Sequence, residues 1–324
     1  MAGMLRYAAD RRTMLWCLAM PVVALSMYVA PGWIPYLCPL ACYLALSAGV
    51  IAHNHNHCPT FRNRKLNEAM GMWLSLFYGY PTFVWIPTHN LNHHKFVNKA
   101  GDATITWRYS KKHNFLVAFL FPFVSTYWQQ EPTKAFIDKA RERNRPLYRQ
   151  ILTQYAVWGG THAALLGLAM AMHGVAGGAR IWAFAFLVPA LFSLWTIMFF
   201  NYIQHVHTDP WSEHDHSRSF TGRLINFFLF NNGLHAVHHE TPGLHWSLLP
   251  QEHAKIEAAM DPALKPVSFF AWCFRSYVVA PFLPRFGTAQ VGRAPYEPPA
   301  GVALDVRFGD DLQAVDSGVN VARV

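Results

Sequence analysis

Charged side chains are scarce in this chain: Asp, Glu, Lys and Arg make up 14% of its 324 residues, against roughly 25% in an ordinary soluble domain. From Thr13 to Ala52 there is none. That shortage of polar surface excludes a conventional water-soluble enzyme. The five cysteines include no CxxC pair, which argues against a thiol redox couple and a four-cysteine metal site. Three of them lie in apolar runs, where a thiol behaves as a small hydrophobe; no structural disulfide is expected. Cys58 directly follows His57, but the same reading applies to it. The chain has no HPGG haem motif and no cysteine set for an iron–sulfur cluster, so it carries no electron-transfer cofactor of its own. There is no internal repeat and no low-complexity tract. The formal charge of +9 suits an anionic membrane surface or an acidic partner protein. The apolar runs exclude nucleic acid as the partner.

What is present instead is long apolar sequence. The forty uncharged residues from Thr13 to Ala52 suit two helices of about 20 residues, each able to span a bilayer, with Pro31-Gly32 as the break. The basic Arg6, Arg11 and Arg12 ahead of this run resemble a signal peptide, but no small-residue cleavage site follows. A retained anchor is expected. Gln150–Ala179 and Ile181–Thr208 are also free of those charges. They predict helices near Leu152–Met172 and Ile181–Phe200, with the turn at Gly174, Gly177 and Gly178. Arg62, Arg64 and Lys65 follow the first pair, and Glu131–Arg149 carries six basic against three acidic residues. The two hairpin tips hold only Arg180. The positive-inside rule therefore places both termini in the cytoplasm. Residues 286–324, rich in Gly, Pro and polar side chains, read as a surface tail.

The second abundance is histidine: 18 residues, as many as Asp and Glu together. Four groups stand out: His53-Asn-His55-Asn-His57, His89 with His93 and His94, Asn201 with His205 and His207, and His235 with His238 and His239. Residues i and i+4, or i and i+3, share a helix face. His53 with His57, His89 with His93 and Asn201 with His205 can thus each point two groups one way. His235, His238 and His239 can place three nitrogens around one point. Neutral imidazole ligates Fe, Zn, Cu and Ni. Nine such groups exceed the needs of one ion and fit two. If Ala69–Thr88 spanned the bilayer, His57 and His89 would sit about 30 Å apart on opposite sides. A segment that lies in the interface or dips back, with a kink at Tyr80-Pro81, brings all four groups to the cytoplasmic face. His113, His162, His173, His214, His216 and His253 read as ordinary core or surface residues. His55, His207 and His245 are open between supporting a ligand and plain exposure.

The ordered set HxxxH, HxxxHH, NxxxH and HxxHH, interleaved with two apolar hairpins over about residues 13–240, resembles the membrane fatty acid desaturase and hydroxylase superfamily. The resemblance implies an all-α integral-membrane protein. It would have four transmembrane helices in two hairpins, interfacial or re-entrant helices, and a cytoplasmic histidine-rich cap. Residues 1–285 would form one catalytic domain ahead of the tail at 286–324. It implies two iron ions held by His53, His57, His89, His93, His94, His205, His235, His238 and His239, with Asn201 as outer-sphere partner and O₂ as co-substrate. It implies a fatty-acyl substrate, contact with membrane lipid, and an external electron donor of ferredoxin type, since none is built in. Two features depart from the commonest pattern. The middle group is HxxxHH where many desaturases have HxxHH. The runs His93-His94-Lys95-Phe96-Val97 with Gly101-Asp102, and Asn201-Tyr202-Ile203, are similar to membrane alkane hydroxylases. Desaturation is the expected reaction, with hydroxylation and terminal-alkene-forming decarboxylation as alternatives. Trp73, Phe77, Phe83, Trp85 and Phe199 are candidates for lining an acyl tunnel. A divalent-metal transporter is the alternative of a different class, opposed by histidines at helix ends rather than at the bilayer midplane.

Overall fold

The computed structural model describes residues 3–302. Apart from an isolated bridge between Leu5 and Phe61, regular structure in that stretch is helical. The main helices are α1 (Asp10–Val29), α2 (Ile34–His57), α3 (Arg64–Tyr78), α4 (Phe115–Trp128), α5 (Gln130–Arg143), α6 (Arg145–Trp182), α7 (Val188–His205), α8 (Arg223–Phe228), α9 (His235–Glu240), α10 (Leu249–Ile256) and α11 (Phe269–Phe274). The chain divides into two compact units. The first comprises the residues up to Trp85 with Ala135–Ile197; the second comprises Ile86–Lys134 with the chain from Met198 onward.

In the first unit, one 3₁₀ turn at Pro31–Trp33 joins α1 to α2, and Trp16 Nε1 donates to Tyr43 Oη across the pair at 2.7 Å. α1 buries Cys17, Met20, Ala24 and Met27 and turns Leu15, Leu18, Val22, Leu25 and Val29 outward. A helix apolar on both faces has no counterpart on a water-exposed surface; its outer stripe is built for lipid. α3 is capped by Asn63, whose Oδ1 accepts from Lys65 N at 2.8 Å. It ends at Gly79, where φ is 98° and Ala190 approaches so closely that a Cβ would meet its Cβ at 2.3 Å. Fifteen residues reach about 22 Å, short of the roughly 30 Å hydrocarbon layer. The stretch Ala69–Thr88 is therefore not one spanning helix, and it breaks around Tyr80-Pro81 as expected.

Among the described residues, three stretches are long and apolar enough to cross a membrane: Asp10–Val29, Pro31–His57 and Arg145–His205. The last has 61 residues, about 90 Å if straight, but it is two arms. Gly174 inside α6 has φ 72° and ψ 168°, a conformation essentially closed to other residues. Beyond it, Gly178 lies so near Met170 that a Cβ would meet the Met170 backbone nitrogen at 2.3 Å. The chain has doubled back at the predicted glycine turn. The returning arm runs through a π-helical turn, Ala183–Leu187, into α7. Its Ser193 Oγ donates to Ala45 O at 2.8 Å.

The second unit is made of shorter helices and ordered loops around Tyr202, Phe220, Phe230 and Trp272, all buried. α4 presents Phe115, Leu116, Phe119, Leu120 and Phe123 at its surface. The segment expected to be a polar tail is attached over its first part. Val291 N donates to His207 O at 3.1 Å, Trp211 Nε1 to Ala294 O at 3.1 Å, and Arg293 N to Asp209 Oδ2 at 2.8 Å. The remainder of that tail, 303–324, lies outside the described residues.

Candidate metal centre

Within the second unit seven of the predicted histidines gather into two adjacent sets. In the first, His93, His205, His235 and His239 bring their Nε2 atoms together. His205 lies 3.1 Å from His93, 3.0 Å from His235 and 3.2 Å from His239, and His235 lies 3.1 Å from His239. In the second, the Nε2 atoms of His89, His94 and His238 converge. His94 is 3.0 Å from each of the others, which are 3.4 Å apart. The rings of His94 and His239, 4.5 Å apart, join the sets. Asn201 Nδ2 stands 3.4 Å from His93 Nε2.

The contact between His93 and His205 is not an ordinary hydrogen bond, because the proton of each ring is committed elsewhere. His93 Nδ1 faces Asp102 Oδ2 at 2.8 Å, and His205 Nδ1 faces the His216 carbonyl at 3.3 Å. Both partners accept only, so each Nδ1 carries the proton. The two Nε2 lone pairs then confront each other across 3.1 Å with no hydrogen between them, an arrangement that repels unless a cation lies among them. With metal–nitrogen bonds of about 2.1 Å, neighbouring ligands of an octahedral ion stand about 3.0 Å apart. The donor set therefore fits one divalent transition metal per set, two in all. Burial, and then the neighbouring His94 and His235, hold His239 well below the usual imidazole range, which keeps it in the ligating neutral form.

The local backbone explains the division, which differs from the expected face-sharing. Ile86–His93 is π-helical, with i→i+5 bonding. His89 therefore shares its set with His94, five residues on. The rings of His89 and His93 do stack at 5.2 Å, but their Nε2 atoms serve different sets. Likewise the three histidines of α9 do not surround one point: His235 and His239, at i and i+4, go to one set and His238 to the other.

The Gly101-Asp102 motif by itself assigns Asp102 no role. Asp102 is fully buried and accepts from His93, Asn98 N (2.8 Å), Thr104 N (2.7 Å) and Thr104 Oγ1 (2.7 Å). Burial alone would raise its pKa, but the facing His93 and the bonds from His93 and Thr104 bring it down to about 2. Val97 and Asn98 take positive φ, 42° and 62°, and this tight loop lets Asn98 Nδ2 also donate to His205 O at 2.9 Å. A signal was available: between His94 and Lys111, Asp102 is the single acidic residue.

In the first unit, His53 and His57 occupy the last turn of α2 with ring centroids 4.9 Å apart, and Trp85 packs 5.2 Å from His53. His55 points away from them, bonded to Thr60 Oγ1 (2.9 Å) and Asn67 O (3.1 Å). Most of the histidines read as ordinary are so bonded: His162 to Leu76 O (3.1 Å), His173 to Tyr28 O (2.7 Å) and His214 to Glu240 Oε1 (2.9 Å). His207 meets Thr288 Oγ1 at 2.9 Å, and His245 caps a 3₁₀ turn through Ser247. Of the proposed tunnel residues, Phe83 packs on Phe136 and Tyr155, Trp73 on Phe77 and Phe199 on Tyr277.

Among the described residues, helices of spanning length and apolarity and histidines gathered in sets that could hold metal ions are the features of a histidine-rich membrane protein. The fatty acid desaturase family matches residues 31–271, most of the chain, and the protein belongs to that family. No curated protein and no solved structure matches it.

Proposed function

We propose that the protein is an O₂-dependent, non-haem diiron enzyme that desaturates fatty-acyl chains. The observation that carries this reading is the confrontation of the His93 and His205 Nε2 lone pairs at 3.1 Å, beside a second convergent set. Within the family, such sets serve oxidation of alkyl chains. His89, His94 and His238 would hold one ion; His93, His205, His235 and His239 would hold the other, with Asn201 as outer-sphere partner. His53 and His57 are assigned to the same centre by their i, i+4 spacing and their place as the first histidine group. When bound, the iron pair supplies the activation of O₂ that breaking an unactivated C–H bond requires.

The chain's own part is orientation and exclusion. Asp102 and the His216 carbonyl hold the Nδ1 protons of His93 and His205, so that both Nε2 lone pairs face inward. Burial of His93, His205, His235 and His238 limits the access of water to these ligands. The electrons come from a separate ferredoxin-type donor, attracted by the chain's positive charge. The Arg145–His205 hairpin and the first hairpin would cross the bilayer four times, entering and leaving on the cytoplasmic side where Lys and Arg collect.

The test is purified protein in nanodiscs, assayed for iron per chain, for donor-dependent oxygen uptake, and for products from saturated acyl substrates by mass spectrometry. Two irons per chain and a new double bond are expected. A dominant alcohol or terminal alkene overturns desaturation and keeps the centre. An active sample free of transition metal overturns both.

A further inference from the structure

The second unit holds another group of buried polar side chains, apart from the histidine sets. Arg218 is 1% exposed, and among the described residues no carboxylate pairs with it. Its Nη1 and Nη2 donate to the carbonyls of Ile203 and Val206 around the end of α7, where the helix dipole offsets part of the charge. Helix capping accounts for those two bonds and leaves Arg218 Nε without an acceptor. The same is true around it. Trp272 lies 4.8 Å from the guanidinium carbon, and Trp272 Nε1, Ser276 Oγ, Tyr277 Oη and His113 Nε2 are all buried without a hydrogen-bond partner. The ring of Tyr277 stands 5.2 Å from His113 and 5.9 Å from Trp272. Buried polar groups are nearly always satisfied. Here a cation and several groups able to donate are gathered, and what they lack is an acceptor.

The apolar side of the group is equally specific: Phe115 and Phe199 pack against Tyr277 at 6.0 and 5.9 Å. We propose that Arg218, Tyr277 and His113 form a buried carboxylate subsite that receives the head group of an unesterified fatty acid. One buried cation balances one negative charge, which suits a carboxylate better than a phosphate dianion. A thioester or lipid ester would set a neutral carbonyl against the uncompensated guanidinium. Burial lowers Arg218 to about 10, leaving it cationic at neutral pH, and raises Tyr277 well above its ordinary range, leaving it a donor. This inference rests on the acyl substrate of the proposed function and narrows it to the free acid.

Equilibrium binding of dodecanoate, methyl dodecanoate, 1-dodecanol and acetate to the full chain in nanodiscs tests it. Dodecanoate should bind at least ~10-fold more tightly than the ester or the alcohol, the scale of a charge-assisted bond. Tyr277→Phe removes a hydroxyl that bonds nothing in the protein, so the fold survives. It should weaken dodecanoate at least ~10-fold, the scale of one hydrogen bond to a charged group, and leave the ester unchanged. Arg218→Lys should erase most of the preference. Equal binding of acid and ester, or an unaltered preference in Tyr277→Phe, overturns the subsite. So does acetate binding as tightly as dodecanoate, which would mark a small-anion site. Binding is read without turnover. An inactive protein that still selects the acid counts against the proposed reaction alone, and an active one that prefers the ester counts against the subsite alone.

Discussion

Replacing Asp102 by Asn keeps the side chain's shape and removes its charge. All four groups around it are donors: His93 Nδ1 and Asn98 N on one oxygen, Thr104 N and Oγ1 on the other. An amide NH₂ must therefore face two donors whichever way it turns. On the His93 side the relief is a tautomer switch, with Nδ1 accepting and the proton moving to Nε2. That proton would point at His205 and remove one ligand from the first set. Loss of such a partner costs about 10–100-fold in metal affinity, or about 1.4–2.8 kcal/mol. Iron per chain, titrated against a buffered Fe(II) series, measures it. In a His93→Ala background the same substitution should change affinity little, because the residue it acts through is gone. Wild-type affinity in Asp102→Asn, or an equal loss in both backgrounds, refutes the orienting role. The pH dependence carries a definite sign. The folded carboxyl titrates near 2, below the ordinary value of about 3.9. Its stabilisation is then full above about pH 4 and drains away as pH falls toward 2. The stability gap between wild type and Asp102→Asn should close over that window; a gap that widens on acidification contradicts the assignment.

Other expectations are more local. His162→Ala removes a bond to Leu76 O, costs about 1 kcal/mol, and should leave iron content unchanged; iron loss would show that the ligand set is misread. Burial pushes the Cys58 thiol up to about 11 and Cys273 to about 12. Both should react with iodoacetamide at pH 8 at least ~100-fold more slowly than free cysteine, as followed by peptide mass spectrometry. Gly174→Ala should cost ~1–3 kcal/mol through backbone strain alone, since no atom lies within 4 Å of the added methyl. Gly159→Ala, equally unobstructed and in ordinary helix, should be neutral or stabilising. Thermal unfolding in detergent separates the two.

Much of this arrangement was legible because two patterns in the sequence are strong. Charge-free runs of membrane length and glycines at one hairpin tip placed the long helices, and histidines grouped at the ends of apolar segments marked the sets. What was not legible depended on backbone details that composition does not encode. Face-sharing arithmetic at 3.6 residues per turn paired His89 with His93, and a π-helix pairs it with His94. Asp102 carries no assigned role in the sequence because its partners, Asn98 and Thr104, are brought to it only once Val97 and Asn98 turn through positive φ. His113 reads as ordinary because it stands alone, outside the four histidine groups; that Tyr202, 89 positions away, holds its Nδ1 and leaves Nε2 open is visible only in three dimensions.

The π-helix also accounts for the one-residue excess that sets HxxxHH apart from HxxHH. On an α-helix the first and last histidines of HxxHH stand at i and i+4, on one face. Here they stand at i and i+5, and the i→i+5 turn over Ile86–His93 absorbs the added residue, as a one-residue insertion into an α-helix characteristically does. His89 and His94 thereby keep the shared direction that puts their Nε2 atoms 3.0 Å apart. Half-buried Leu91 lies within the widened turn. Deleting it should restore an α-helical turn and the HxxHH spacing. His93 with Asp102, and Asn92 with Ala103 N at 2.7 Å, lie after the deletion and keep their register. The deletion should hold iron close to the wild-type level, whereas an alanine inserted after Leu91 should lose it, because no regular helix aligns i with i+6. A deletion variant that folds and yet loses iron as completely as His94→Ala would show that the wide turn itself, rather than the facing of the two rings, is what the centre requires.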